Sequence, residues 1–229
     1  MQIKHLFEKL EVASENSNEI FAKSGMINKF NVLEFGFFPL GSGILTEKCE
    51  TNSANIAEGG VMILGNDFGT KSYLENGCEN KRESSNNPTI RNLAKLGLDK
   101  ENTFFTNFYL GIRDDVTYPK TTNTKRIKPI EKEYASFCFD FFLTQLRLVN
   151  PKIIICLGHA VRIAISENFE KEHHWKPKTV SLKKIYADGS YYFNMNIDGS
   201  GERKFIVIPH PCDTRNFSKK FIDKILDVI

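Results

Sequence analysis

Four short apolar runs constrain this chain more than any other feature: "GVMILG" (60–65), "TFFTN" (103–107), "KIIICLG" (152–158) and "FIVIP" (205–209). Each is rich in Ile, Val or Phe and has strand length. None shows the polar alternation of a strand with one wet face, so each reads as a strand covered on both sides in a parallel sheet. Parallel neighbours need crossover connections, and the intervals supply helix-like segments. "PIEKEYASFCFDFFLTQLRLVN" (129–150) carries apolar residues at helical spacing and stops before Pro151, while "HAVRIAISENF" (159–169) opens directly after Gly158. The expected fold is α/β, a three-layer α/β/α sandwich on a four-stranded parallel sheet. "VSLKKIYADGSYYFNMNI" (180–197) departs from this pattern, because alternating residues flank Asp188-Gly189, a strong hairpin-turn pair. It predicts a β-hairpin inserted before the last core strand.

With 229 residues, 41% of them hydrophobic, the chain is long enough for one sizeable core and near the upper end for one domain. A single domain over 1–229 is expected, with 1–57 as a helical and loop extension packed on it. In that extension "IKHLFEKLEVA" is helix-like and "FGFFPLGSG" (35–43) is an aromatic, glycine-rich loop. The polar stretches "NGCENKRESSNN" (76–87) and "YPKTTNTKR" (118–126) read as exposed loops on the ligand side. Thirty-one Lys and Arg against 28 Asp and Glu leave a net charge of +3, too small to declare a nucleic-acid partner by itself. No apolar run approaches the roughly 18 residues of a membrane span, and no N-terminal apolar segment of a secretory signal is visible. A soluble, cytoplasmic monomer is expected, or a nuclear one in a eukaryote. The five cysteines, Cys49, Cys78, Cys138, Cys156 and Cys212, are odd in number and far apart, which indicates neither a disulfide framework nor a metal site. Cys138 and Cys156 sit in apolar stretches and read as small core residues. No cofactor is expected.

In an open parallel sheet, ligands bind beyond the carboxyl ends of the strands, where loops and helix N-termini converge. Asn66 and Asp67 follow the first run, Asn107 ends the second, Gly158 and His159 follow the third, and His210 follows the fourth. A carboxylate there can orient water or stabilise a developing cation. An amide can read both a carbonyl and an N–H, and an imidazole can stabilise an oxyanion. Together they suit cleavage at a sugar carbon with a planar heterocycle leaving. Each also has a plainer role: Asp67 as a helix cap, Asn107 as a partner for backbone at a strand end, and His210 as a hydrogen-bonded histidine in the turn before Pro211. His159, opening a helix, reads as structural.

"GNDFG" (65–69), "FFTNFYLGIR" (104–113), "NPKIIICLGHAV" (150–161) and "HPCDTRN" (210–216), in that order and spacing, resemble the uracil-DNA glycosylase superfamily over roughly residues 58–228. The resemblance makes Asp67 the water-orienting carboxylate, Asn107 the reader of the pyrimidine edge and His210 the group that bonds the base carbonyl and stabilises the departing anion. Gly65, Asn66, Phe68 and Gly69 would line the base. Thr214, Arg215 and Asn216 would form the loop that enters the duplex, and an Arg-Asn pair there is most like the single-strand-selective monofunctional branch. Phe68 stands where proline is usual, and Gly69 where the most uracil-restricted branch carries a tyrosine. Thr89 stands in "NNPTIRNL" where a stacking phenylalanine is common, so Phe68 or Tyr73 is left to supply that face. The four cysteines of the iron-sulfur branch are absent. The implied partner is DNA with a flipped uracil or related base, and Lys120, Lys125 and Arg126 would contact phosphates or simply form a solvated basic loop. Two rivals stand beside this: a non-catalytic nucleic-acid or nucleobase-binding module of the same fold, and a small-molecule hydrolase using Asp67 and His210.

Overall fold

The computed structural model describes residues 18–27, 59–67, 69, 88–98, 103–114, 132–169, 175, 180–197 and 201–229. Along them run α1 (Asn18–Lys23), β1 (Met26–Ile27), β2 (Val61–Gly65), α2 (Pro88–Ala94), β3 (Thr103–Asn107), β4 (Ile112–Arg113) and α3 (Lys132–Val149). The order continues with β5 (Ile153–Leu157), α4 (Gly158–Asn168), α5 (Leu182–Asp188), β6 (Tyr192–Asn196), β7 (Glu202–Ile208), a 3₁₀ turn (Thr214–Asn216) and α6 (Lys219–Leu226).

The chain is mixed α/β. Its main sheet has five strands in the order β3-β2-β5-β7-β6, the first four parallel and β6 antiparallel at the edge. Burial explains the apolar runs. All of β3 and the last four residues of β2 and of β5 are buried, so these strands have no wet face to alternate with. Edge strand β6 does alternate, with Phe193 inside and Tyr192, Asn194 and Asn196 exposed. A second, two-stranded sheet joins β1 to β4, setting Met26 opposite Arg113.

Helix α3 buries Tyr134, Cys138, Phe141, Phe142, Gln145, Leu146 and Val149, a stripe at the three- and four-residue spacing of one helix face. Two polar contacts fix it, one against β3 and one against the residues that follow β3. Thr106 of β3 donates to Gln145 Oε1 at 2.6 Å, and the Tyr134 hydroxyl donates to the Leu110 carbonyl. The helix ends at Asn150, whose φ of 46° is left-handed, a conformation asparagine tolerates better than most residues. Cys138 and Cys156 are buried free thiols, as their apolar settings imply, while Cys212 is exposed.

Residues 180–197 do not form the expected hairpin. Leu182, Ile185 and Tyr186 recur at helical spacing, and Leu182–Asp188 is helical, with Ser181 accepting the Lys184 N–H as its N-cap. Asp188-Gly189 is the helix stop: Gly189 closes α5 in the left-handed conformation at φ 82°. The pair that favours a hairpin turn favours a helix C-cap for the same reason, low-cost positive φ. The alternating segment beyond it is β6, and its antiparallel partner is β7, so the sheet has five strands rather than four. β7 starts at Glu202, ahead of its apolar run, where it pairs with Asn196 of β6, and Arg203 is buried there and donates to Asn150 Oδ1 at 3.0 Å.

The segments at 3–13, 35–43, 76–87 and 118–126 lie outside the described residues, as do Phe68, Tyr73, Lys120, Lys125 and Arg126. Among the described residues no helix is long and apolar enough to cross a membrane.

Candidate functional site

From β2 the chain passes through α2 to β3 on one side, then returns through α3 to β5 on the other. The sheet therefore reverses direction of growth between β2 and β5, the place at which open α/β sheets generally bind ligands beyond the carboxyl ends of the strands. Pairing of Gly65 with Asn107 brings the exits of β2 and β3 side by side. Beyond it Phe108 and Tyr109 donate to the carbonyls of Gly65 and Asn66, both at 2.9 Å, so the two exit loops run together.

Asp67 is held from several directions. Its side chain is only 7% exposed, Oδ2 accepts from Asn66 Nδ2 at 2.7 Å, and Oδ1 accepts the Gly69 N–H at 2.9 Å. Arg113 Nε lies 3.2 Å from the same Oδ1, an ion pair that the sequence reading missed. Nothing local distinguishes Arg113 from a surface arginine; it arrives because its own N–H bonds the Gly69 carbonyl at 2.8 Å. Gly69 has φ 91°, so this glycine has a backbone reason as well as the open-pocket one that the resemblance implies.

Asn107 is fully buried, and among the described residues neither its amide oxygen nor its amide nitrogen has a hydrogen-bond partner. It does not, then, satisfy backbone at the strand end. Asn66 Oδ1 is likewise buried without a partner. Leaving such groups unmet costs about 1–3 kcal/mol apiece, so the exits of β2 and β3 both carry buried amide atoms at a cost to stability.

His210 follows β7 in a β-turn closed by the Asp213 N–H to the His210 carbonyl at 3.0 Å, with Pro211 at the position whose φ that ring presets. Gly158, at φ 88°, begins α4 directly from β5. A Cβ placed there would stand 3.5 Å from the His210 Cβ, so the β5 and β7 exits touch. Surrounding protein disfavours the charged imidazole and lowers its pKa from 6.5, although part of the residue remains open to solvent. Asp67 pulls the other way, raising it, so the carboxylate lies within electrostatic reach of the ring. Nδ1 accepts the Cys212 N–H at 3.3 Å, which leaves Nε2 as the protonated nitrogen of the neutral ring.

The turn is anchored by a residue absent from the sequence reading: buried Asn92 of α2 donates to the Pro211 carbonyl at 2.7 Å. His159 is half-buried with Nδ1 at 3.3 Å from Arg162 Nη2 and sits in a structural contact, as its place at a helix start implies. Thr214, Arg215 and Asn216 are exposed on the 3₁₀ turn, where Asp213 binds Arg215 through Nε (2.9 Å) and Nη2 (3.1 Å) and Asn216 through Nδ2 (2.9 Å). Asp67, Asn66, Gly65, Gly69, Asn107 and His210 thus gather at one sheet edge, with 214–216 on the loop that His210 begins. Among the described residues no three of His, Cys, Asp or Glu come together to hold a metal ion. No protein-family model matches the chain, and no curated protein matches it.

Proposed function

We propose that the chain is a monofunctional DNA glycosylase that cleaves the N-glycosidic bond of uracil or a related deaminated base, on the three-layer α/β/α fold of the uracil-DNA glycosylase superfamily. The observation that carries this reading is the buried, unpartnered amide of Asn107, opposite Gly65 at the strand exit that leads to Asp67. A donor and an acceptor on one rigid planar group match the adjacent carbonyl and N–H of a pyrimidine edge. A base must leave the stack to reach such a site.

The bond between sugar carbon and base nitrogen breaks with its electron pair leaving on the base, and water adds to the cationic sugar carbon, losing its proton to the solvent side through Asp67. Asp67 faces the developing cation. His210 acts on the anion: a neutral ring with Nε2–H donates to the base carbonyl as its charge grows. One observation favours the binding-module rival, the Arg113 cation against Asp67, which offsets the charge that the sugar cation would use. Incubating the full-length protein with uracil-containing single-stranded and duplex oligonucleotides separates the two. Free base and an abasic strand support the glycosylase; tight binding with no base released supports the module; neither result supports the small-molecule hydrolase.

A further inference from the structure

Residues 18–27 lie well upstream of the strand exits, yet two separate lines of contact run from them toward Asp67. The first is a line of packing. Phe21 of α1 is fully buried, and its ring meets Tyr134 and Phe137 of α3 edge-on, with centroids 5.2 and 5.6 Å apart. Tyr134 in turn stacks on Tyr109 at 6.0 Å and donates its hydroxyl proton to the Leu110 carbonyl. Phe21 therefore presses on the side chain that ties the segment after β3 to α3. The second line runs through the backbone. Helix α1 ends in a turn where Gly25 takes φ 65°, and the chain passes straight into β1. β1 pairs antiparallel with β4, and Asp114 donates to the Gly25 carbonyl at 2.9 Å. Successive N–H groups along a strand point to opposite edges, so that of Arg113 faces away from β1. It meets the Gly69 carbonyl at 2.8 Å, and Arg113 Nε stands 3.2 Å from Asp67 Oδ1. β4 is thus held between β1 and Gly69, whose own N–H addresses the same carboxylate at 2.9 Å.

From these two lines we infer that residues 18–27 are a brace for the site, fixing the place of Arg113 and Gly69 and, through them, of Asp67. Phe21 and Ile27 are positioning residues, acting only through the groups they hold. The inference rests on the glycosylase reading only in giving Asp67 a sugar cation to face. The β1–β4 pair is a sheet of its own, separate from the five-stranded one in which β5 sits between β2 and β7. Loosening the brace should therefore free the Asp67 end of the molecule and leave the centre of the main sheet closed, since parts of a protein open with different free energies.

The test is amide hydrogen exchange, followed residue by residue by NMR on the full-length protein. Two variants cut one line each: Phe21→Ala removes the ring against Tyr134, and Ile27→Pro takes an N–H out of β1. In each, exchange at the Gly69 and Arg113 amides should speed up by about tenfold or more, while Ile154 and Ile155 of β5 keep their wild-type protection. Wild-type exchange at Gly69 and Arg113 in both variants overturns the inference. Equal loss of protection in β5, or failure of both variants to fold, overturns it too, because the segment would then belong to the core and not to the site. If Phe21→Ala alone fails to fold, Ile27→Pro decides. Single-turnover base release should fall along with the protection. If no protein, wild type included, releases base while the exchange pattern holds, the glycosylase reading fails and the brace stands.

Discussion

A carboxylate at a strand mouth meets competing demands, and Asp67 shows how they are settled: Asn66 and the Gly69 N–H aim it, and Arg113 balances part of its charge. Asp67→Asn keeps the size and some of the hydrogen bonds but removes the charge, so single-turnover release of uracil should fall by about 100-fold or more with binding retained. Unchanged release would take Asp67 out of the chemistry. His210 makes a second prediction at this scale. Its folded pKa lies below 6.5, so between those values the unfolded chain binds a proton that the folded chain does not. Its contribution to stability is complete above the unfolded value and is lost as pH falls through the folded one. Urea midpoints measured from about pH 8 down to about pH 5 should therefore drop more for wild type than for His210→Gln. Gly69→Tyr is a poor probe of the base pocket, because φ 91° strains any side chain there.

Helix α2 illustrates how an element can serve a site it does not enter. Asn92 reaches the Pro211 carbonyl across 119 residues of chain, and Lys95 donates to the other end of the same amide at 2.9 Å. Asn92→Ala leaves the carbonyl unmet and lets the His210 turn drift from α2; the expected loss is about 1–3 kcal/mol in chemical denaturation. Base release should fall beyond what that loss explains. The 3₁₀ turn is an element with a latch, since Asp213 holds the exposed Arg215 through two nitrogens. On the proposed function a long side chain there fills the gap left by the flipped base. Arg215→Ala should then reduce release from duplex more than from single strand, because only the duplex has a stack to reseal. Equal loss on both substrates would reduce Arg215 to a phosphate contact.

For the molecule as a whole, a net charge of +3 gives little long-range attraction to a polyanion, so the DNA binding that the proposed function requires would depend on where the cations lie. If the 118–126 loop touches phosphates, Lys125→Ala should weaken binding to all sequences about equally and lower the salt slope of the affinity by about one. A slope that does not move takes Lys125 out of any phosphate contact. The same scale accounts for the site's place. Four parallel strands deliver their carboxyl ends to one edge, and the change of direction falls between β2 and β5, where such sheets generally bind ligands.

What the sequence determined by itself is whatever depends on neighbours in the chain. Unalternating apolar runs marked β2, β3, β5 and the buried part of β7, and the residues at or just after the end of each run were the ones the sheet brings to its edge, Asp67, Asn107 and His210 among them. Spacing and the Gly158 and Pro151 signals placed α3 and α4. Asp188-Gly189 was ambiguous locally, because positive φ suits a hairpin and a helix stop alike; packing of Leu182, Ile185 and Tyr186 on the core decided for the helix. Only the tertiary structure joined Arg113 to Asp67 and Asn92 to Pro211, or left Asn107 without a partner among the described residues. Those are through-space facts. A hydrogen bond or ion pair depends on distance and desolvation between groups far apart in the chain, and no local pattern of residues encodes that.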